Sequence, residues 1–245
     1  PWQARPTPLQ WQAINPIGQS PTARYGHAGF NLDSHEGKGF IFGGITLKNN
    51  SPKVLDDTWM YDFSAQTWSA MSFQQNFQYV SQDCVSTIGN TLLPGPRAGH
   101  SVVGASSFAL MCGGFSSFNG SLHMYQNDSD ILDCFWFSLD PFLQWKPLKT
   151  VGQTAPTQRW GHSMAYSTLG IIVVFGGVSK ATQNALGDCW FIDSSVNPFS
   201  GGQYVWKSCN PPPGKSLQPA PRFGHQSVIY SNSQTLYVYA GFAFN

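Results

Sequence analysis

The sequence predicts an all-β chain assembled from one four-stranded unit repeated along its length. Three observations carry that prediction. First, a stretch of Arg, a variable and mostly aromatic residue, Gly and His is written four times. The copies are Arg24-Tyr25-Gly26-His27, Arg97-Ala98-Gly99-His100, Arg159-Trp160-Gly161-His162 and Arg222-Phe223-Gly224-His225. Their arginines stand 73, 62 and 63 residues apart, and recurrence at a near-fixed period marks a repeat architecture. Second, the first three copies lead through a turn to an apolar run that ends in a glycine pair, at Gly43-Gly44, Gly113-Gly114 and Gly176-Gly177. Third, no window sustains a helical period of apolar residues. Of the twelve acids only Glu36 is Glu, and Asp suits turns where Glu suits helices.

The elements come in a fixed order. In the first unit, strand a is expected at 28–30 and a turn rich in Asp, Ser and Gly at 31–38. Strand b runs over 39–42 into the glycine pair, and a polar loop over 45–54 leads to strand c. Strand c ends in Trp59-Met60-Tyr61-Asp62, and strand d comes next at 67–71 around Trp68. This is the alternation of short β-rich runs and turn residues that specifies hairpins. The second unit repeats it at 99–103, 108–112, 131–139 and around Trp145. The third does so at 161–165, 171–175, 188–192 and around Trp206. The fourth copy has strand a at 224–230 and strand b at 236–239, and it ends in Ala240-Gly241, so the first glycine is replaced. Upstream, 9–13 reads as a strand d, because Trp11 precedes the first Arg copy as Trp145 and Trp206 precede theirs. The chain is therefore expected to be a single domain over 1–245. Its units lie at about 21–71, 94–148 and 156–208, with 219–245 and 9–13 as parts of incomplete ones.

The glycine pair after an apolar strand, the aromatic-x-Asp strand and the Trp of strand d together resemble the kelch repeat, in its Arg-x-Gly-His variety. The match covers nearly the whole chain. The resemblance implies a β-propeller, in which each repeat is one antiparallel blade around a central channel. Physical reasons point the same way. A sheet of short strands cannot bury both faces alone and must stack on its own copies. The glycine pair permits close backbone approach. Trp59, Phe135 and Trp190 of strand c, with the strand d tryptophans, supply large apolar area between blades. Kelch rings usually have five to seven blades, so three full blades and a split one are expected to form part of a ring.

Composition excludes several functions. Charged residues are 10% of the chain and the net charge is +1. Soluble chains average about 25% charged, and a nucleic-acid footprint needs a basic patch. No apolar run reaches the roughly 20 residues of a membrane span, so no nucleic-acid partner and no direct membrane insertion are expected. Three Asn-x-Ser triplets begin at Asn49, Asn119 and Asn127, and they are the glycosylation candidates. None of the five cysteines sits in a C-x-x-C pair, which argues against zinc. Cys189 and Cys209 fall nearly opposite each other around a turn, and Cys112 and Cys134 flank a b–c connection. Both pairs are disulfide candidates, with reduced buried thiols as the alternative. The triplets and cysteines together favour an extracellular, secreted or lumenal setting over a cytoplasmic one.

The b–c and d–a connections emerge on one face, and they are the long ones: 45–54, 115–130, 178–187, 72–96 and 208–221. Binding resides in long loops on a rigid scaffold, so this face is the candidate. It carries Arg24, Tyr25, Arg97, Arg159, Trp160, Arg222 and Phe223 at the channel mouth. Arginines at this position hold acidic peptides in kelch adaptors, and the resemblance implies that use. The competing reading is architectural: a residue present in every blade serves what every blade needs. Asp57, Asp133 and Asp188, just before strand c, are expected as hydrogen-bond acceptors and candidate partners of the arginines. The histidines come from different blades with no local carboxylate, so hydrogen bonding is expected and a metal is not. No Walker loop, G-x-S-x-G or acid pair is present. Copper oxidases and iron-binding specifier proteins share this fold, but their motifs are not recognisable here. The expectation is a non-catalytic recognition or assembly module without a cofactor, binding protein or glycan. Two alternatives are a carbohydrate-active or oxidase-type enzyme, and a structural component of a large assembly that makes contact through the propeller flank.

Overall fold

The computed structural model describes residues 13–71, 78–79, 85–88, 91–118, 121–124, 131–139, 144–152, 154–195, 202–209, 218–230 and 235–243. In the first unit, β1 (Ala28–Phe30), β2 (Lys38–Lys48), β3 (Ser51–Asp62) and β4 (Thr67–Met71) pair antiparallel in chain order. The 45–54 stretch is not an open loop. It is the end of a long hairpin, with Lys48 opposite Ser51. Asn49 and Asn50 close it with φ of 52° and 62°. Two central residues with positive φ give the turn whose twist matches paired strands, and Asn adopts that conformation readily.

Residues 72–96, expected as a loop, contain a small three-stranded sheet of β5 (Gln78–Tyr79), β6 (Val85–Ile88) and β7 (Thr91–Pro94). The second unit holds β8 (Ser101–Gly104), β9 (Phe108–Cys112), the hairpin β10 (Phe115–Phe118) and β11 (Ser121–Met124), then β12 (Cys134–Ser138) and β13 (Gln144–Pro147). Its blade order is β8, β9, β12, β13. The third unit holds β14 (Arg159–Trp160), β15 (Ser163–Ser167), β16 (Ile171–Ser179), β17 (Ala185–Asp193) and β18 (Lys207–Ser208). Here too the strands continue past the glycine pair, with Val178 opposite Ala185. The fourth holds β19 (Gln226–Ile229) and β20 (Leu236–Tyr239). Of the strand expected at 9–13, only Ala13 lies within the described residues. Asn119, Asn127 and Cys84 lie outside them.

The inner strands β1, β8, β15 and β19 stand side by side in that order, so the units are arranged around a common axis. Aromatic side chains fill the spaces between units. Phe30, Phe40 and Phe42 of the first meet Met111, Phe135, Phe137 and Trp145 of the second. Leu110, Cys112 and Trp136 of the second meet Ile172, Val174, Ile192, Tyr204 and Trp206 of the third. The segment between units also hooks onto the next blade: Ile17 N–H donates to Gln66 O and Val151 N–H to Tyr204 O. The glycine pairs of the first and third units are β-bulges. The register shifts between Phe42 and Gly44 and between Phe175 and Gly177, and a bulge re-aims the side chains beyond it.

Candidate functional site

The four Arg-x-Gly-His copies build the joints between units. At each joint the second glycine of one unit donates to the arginine carbonyl of the next. Gly44 N–H reaches Arg97 O at 2.8 Å, Gly114 reaches Arg159 O at 3.0 Å and Gly177 reaches Arg222 O at 2.8 Å. The first glycine must be bare, because a Cβ on Gly43 would stand 2.5 Å from Arg97 O. The motif glycines add a second link. Gly99 N–H donates to Gly26 O, Gly161 to Gly99 O and Gly224 to Gly161 O, a chain of backbone bonds from one inner strand to the next.

Each guanidinium turns back into its own unit. Nη1 of Arg24, Arg97 and Arg159 donates to the carbonyl of the first glycine, at Gly43, Gly113 and Gly176. The same nitrogens reach Asp57 at 2.5 Å, Asp133 at 3.2 Å and Asp188 at 2.6 Å. Arg24 and Arg159 are bidentate, the strongest form of this contact. Arg97 and Arg159 have no exposed surface. Both guanidiniums are held by carbonyl and carboxylate partners inside their own blade. Arg222 bonds Ala220 O and Ala240 O and has no carboxylate partner among the described residues.

The environment sets the charges. Burial pushes the Asp57 and Asp188 carboxyls up. Hydrogen bonds from Arg24 and Trp59, and from Arg159 and Trp190, outweigh it, so both are held below the usual carboxylate range. In the second unit Phe135 stands in place of that tryptophan. Asp133 there has no indole donor among the described residues, and the Phe135 ring instead lies 5.2 Å from the Arg97 guanidinium. The motif histidines pack on the preceding unit, His100 on Phe42 and His225 on Phe175. Burial, aided by the neighbouring Arg159, lowers His162 to about 3; burial and Arg222 lower His225 to about 4. These rings stay neutral at ordinary pH. Among the described residues no three His, Cys, Asp or Glu gather closely enough to hold a metal ion.

What the motif presents at the mouth is aromatic. Its variable residue pairs with the residue after the glycine pair: Tyr25 with Ile45, Ala98 with Phe115, Trp160 with Val178 and Phe223 with Phe242. The rings form a ladder across three units. Phe115 meets Trp160 at 5.6 Å, Trp160 meets Phe223 at 5.4 Å and Phe223 meets Phe242 at 5.7 Å between centroids. At the far end of the ladder Phe242 is 68% exposed, and Tyr25 of the first unit, which pairs with Ile45 outside the ladder, is 57% exposed. Tyr25, Trp160 and Phe223 are legible as candidates in the sequence. Phe115 and Phe242 are not, because the two positive-φ residues before each of them, Gly113-Gly114 and Ala240-Gly241, reset the alternation that would say where they point.

The KLHDC2/KLHL20/DRC7 Kelch-repeats domain model matches residues 2–241. The chain belongs to the kelch-repeat family. Its fold is a kelch β-propeller, as expected, and a kelch-repeat domain fits a protein-interaction module. Several curated proteins contain similar kelch sequence. Acyl-CoA-binding domain-containing protein 4 of Arabidopsis thaliana is 28% identical over 225 residues, covering 91% of this chain and 28% of that protein. An F-box/kelch-repeat protein of the same plant is 26% identical, covering 95% of this chain and 46% of that protein. Rho GTPase-activating protein gacHH of Dictyostelium discoideum is 29% identical, covering 68% of this chain and 9% of that protein. The chain thus spans less than half the length of each of these relatives. The solved structure of YjhT superposes with a TM-score of 0.58 at 13% identity, over 90% of this chain and 59% of that one. A likeness at that identity concerns the fold alone.

The remaining candidates fall away from the kelch mouth or at its edge. Cys112 and Cys134 face each other on β9 and β12, Cα atoms 4.2 Å apart, with sulfurs at bonding distance. Cys189 and Cys209 do the same at the outer edge of the third blade, Cα atoms 5.1 Å apart. Asn49 is exposed at the tip of the β2–β3 hairpin. A cleft of about 540 Å³ lies on the face of the first blade turned away from the second, lined by Ile14, Phe30, Ile41, Tyr61, Phe63 and Trp68.

Proposed function

We propose that this chain is a non-catalytic recognition module that binds a protein partner at the channel mouth. The observation that carries the reading is the aromatic ladder of Phe115, Trp160, Phe223 and Phe242, with Tyr25 exposed on the same rim. Aromatic side chains dominate the energy of protein contacts because they bury much area and lose little conformational freedom. The ladder is mounted on a rigid frame of joints, so little ordering has to be done on binding. The two cysteine pairs at bonding distance support an oxidising compartment, where such bonds persist. The Asn49 triplet at an exposed tip is then a glycan site at the edge of the same face. Arg24, Arg97, Arg159 and Arg222 serve the frame in this reading, and ligand contact falls to Tyr25, Trp160 and Phe223.

The test compares two variants in capture of the partner from the native source, with cross-linked residues read by mass spectrometry. Trp160→Ala with Phe223→Ala removes the ladder, and Ile41→Ala alters the face of the first blade turned away from the second. The reading expects loss of the partner with the first, retention with the second, and cross-links at the mouth. Cross-links gathered on that blade face, or a partner indifferent to the ladder, would overturn it.

A further inference from the structure

We infer that a Cys112–Cys134 cross-link does for the second unit what an indole does for the first and third, which makes the joint beside Phe115 the redox-sensitive one. In the first and third units the acid is held from two sides. Arg24 and Arg159 meet it bidentately, and Trp59 and Trp190 donate to it through Nε1 at 2.7 Å. In the second unit Phe135 occupies the tryptophan's place. Arg97 reaches Asp133 Oδ2 at 3.2 Å, against 2.5 and 2.6 Å in the other two. Asp133 Oδ1 is buried without a hydrogen-bond partner among the described residues, and a buried acceptor left so weakens its site.

The sulfurs lie at this weak point. Arg97 Nη1 holds two groups, Gly113 O and Asp133. Cys112 is the residue before Gly113, Cys134 is the residue after Asp133, and the two face each other across β9 and β12. A bond between them fixes the spacing of both groups, whatever the strength of the ion pair. The same positions hold Phe42 opposite Thr58 in the first unit and Phe175 opposite Cys189 in the third, so no cross-link forms there. Cys189 instead faces outward to Cys209. The joint comes next along the chain. Gly114 N–H donates to Arg159 O, and Phe115 exchanges two backbone bonds with Ala98 and meets Trp160. Between the cross-link and Phe115 stand only two glycines, both at positive φ, and glycine adds no stiffness of its own.

A dithiol donor opens the bond with no further reactant. One donor thiolate attacks a sulfur of the pair and the other sulfur leaves as a thiolate. The donor's second thiol then attacks the mixed disulfide. The donor ends as its own disulfide, having given two electrons, and Cys112 and Cys134 end as thiols.

The experiment is amide hydrogen exchange on the full chain. Cys112→Ala with Cys134→Ala should speed exchange at Gly114 and Phe115 about tenfold or more beyond any change at Gly177, the matching joint of the third unit. Dithiothreitol on the native chain, with alkylation confirming both thiols, should do the same. Cys189→Ala with Cys209→Ala should leave Gly114 and Phe115 within about threefold. A second arm keeps the bond, so it stands even where the cysteine variants do not fold. There Asp133→Asn should speed Gly114 less than about threefold and Asp188→Asn should speed Gly177 about tenfold or more, because only the second unit has a covalent substitute for its acid. Equal acceleration at Gly114 and Gly177 in the first arm, or Asp133→Asn as damaging as Asp188→Asn in the second, would overturn the inference.

Discussion

Replacing Arg159 by Ala distinguishes a brace from a grip. The side chain has no exposed surface. It donates to Thr157 O at 2.9 Å and Gly176 O at 3.0 Å, and to the two Asp188 oxygens at 2.6 and 2.8 Å. Truncation leaves the half-buried Asp188 carboxylate with its indole donor but no counter-charge, and removes a donor from Gly176 O. Breaking a buried pair from one side costs about 3–5 kcal/mol. Asp188 keeps 27% of its side chain exposed, so water softens the loss and the lower end, about 3 kcal/mol, applies. For a chain of this size that lowers the melting temperature by about 6–12 °C. Arg222 is the internal control. It makes the matching bond to Ala240 O without a carboxylate among the described residues, and Arg222→Ala should cost about 1 kcal/mol or less. Denaturant melts tracked by circular dichroism at one pH give both numbers. Equal, small losses at the two positions would refute the bracing argument. Loss of partner binding by Arg159→Ala at unchanged stability would favour the grip.

Stability should fall on acidification. The unfolded histidines titrate near 6.5, while His162 and His225 when folded do so at about 3 and about 4. The unfolded chain therefore binds more protons from about pH 6.5 downward, and stability drops by up to about 1.4 kcal/mol per pH unit for the fully buried His162. The loss flattens near pH 3, and His162→Asn should lessen the slope by about one proton if it folds. At the glycine pair, Gly113→Ala should cost about 2–4 kcal/mol, from a left-handed φ of 64° and a Cβ pressed on Arg159 O. Gly37→Ala, with φ 73° but open space around it, should cost only about 1 kcal/mol by thermal melt. Ala240→Gly should stabilise by about 1 kcal/mol, since Ala240 holds a φ of 59°. Reductant should lower the melting temperature of oxidised protein, because the cysteine pairs close loops of 22 and 20 residues and each such link contributes about 3 kcal/mol. A melt insensitive to reductant would refute the pairing.

The blade plan was legible because the turn residues, the glycine pairs and the strand alternation all repeat. The Asp partners of the arginines were legible too, since Asp57, Asp133 and Asp188 recur at one place in each unit. The hairpin tips were not. Residues 45–54 look polar enough for a loop, yet Asn49-Asn50 lets the strands pair to their ends. The burial of Arg97 and Arg159 was hidden for a different reason: each guanidinium folds back onto a glycine carbonyl and a carboxylate that lie 16 to 36 residues further along its own unit, which no local pattern reports. The ladder combines both effects. Trp160 was visible in its motif, but its partners Phe115 and Phe223 belong to the flanking units, and Phe115 sits just past two positive-φ glycines that break the count.

The most direct test of the mouth as the recognition site is amide hydrogen exchange on the chain, with and without its captured protein partner at saturation. The account predicts slowed exchange concentrated at Tyr25, Phe115, Trp160 and Phe223 and in the adjoining hairpin tips, with the first blade's face around Ile41, Tyr61 and Trp68 unchanged. Protection centred on that blade face, with the ladder exchanging as before, would contradict it.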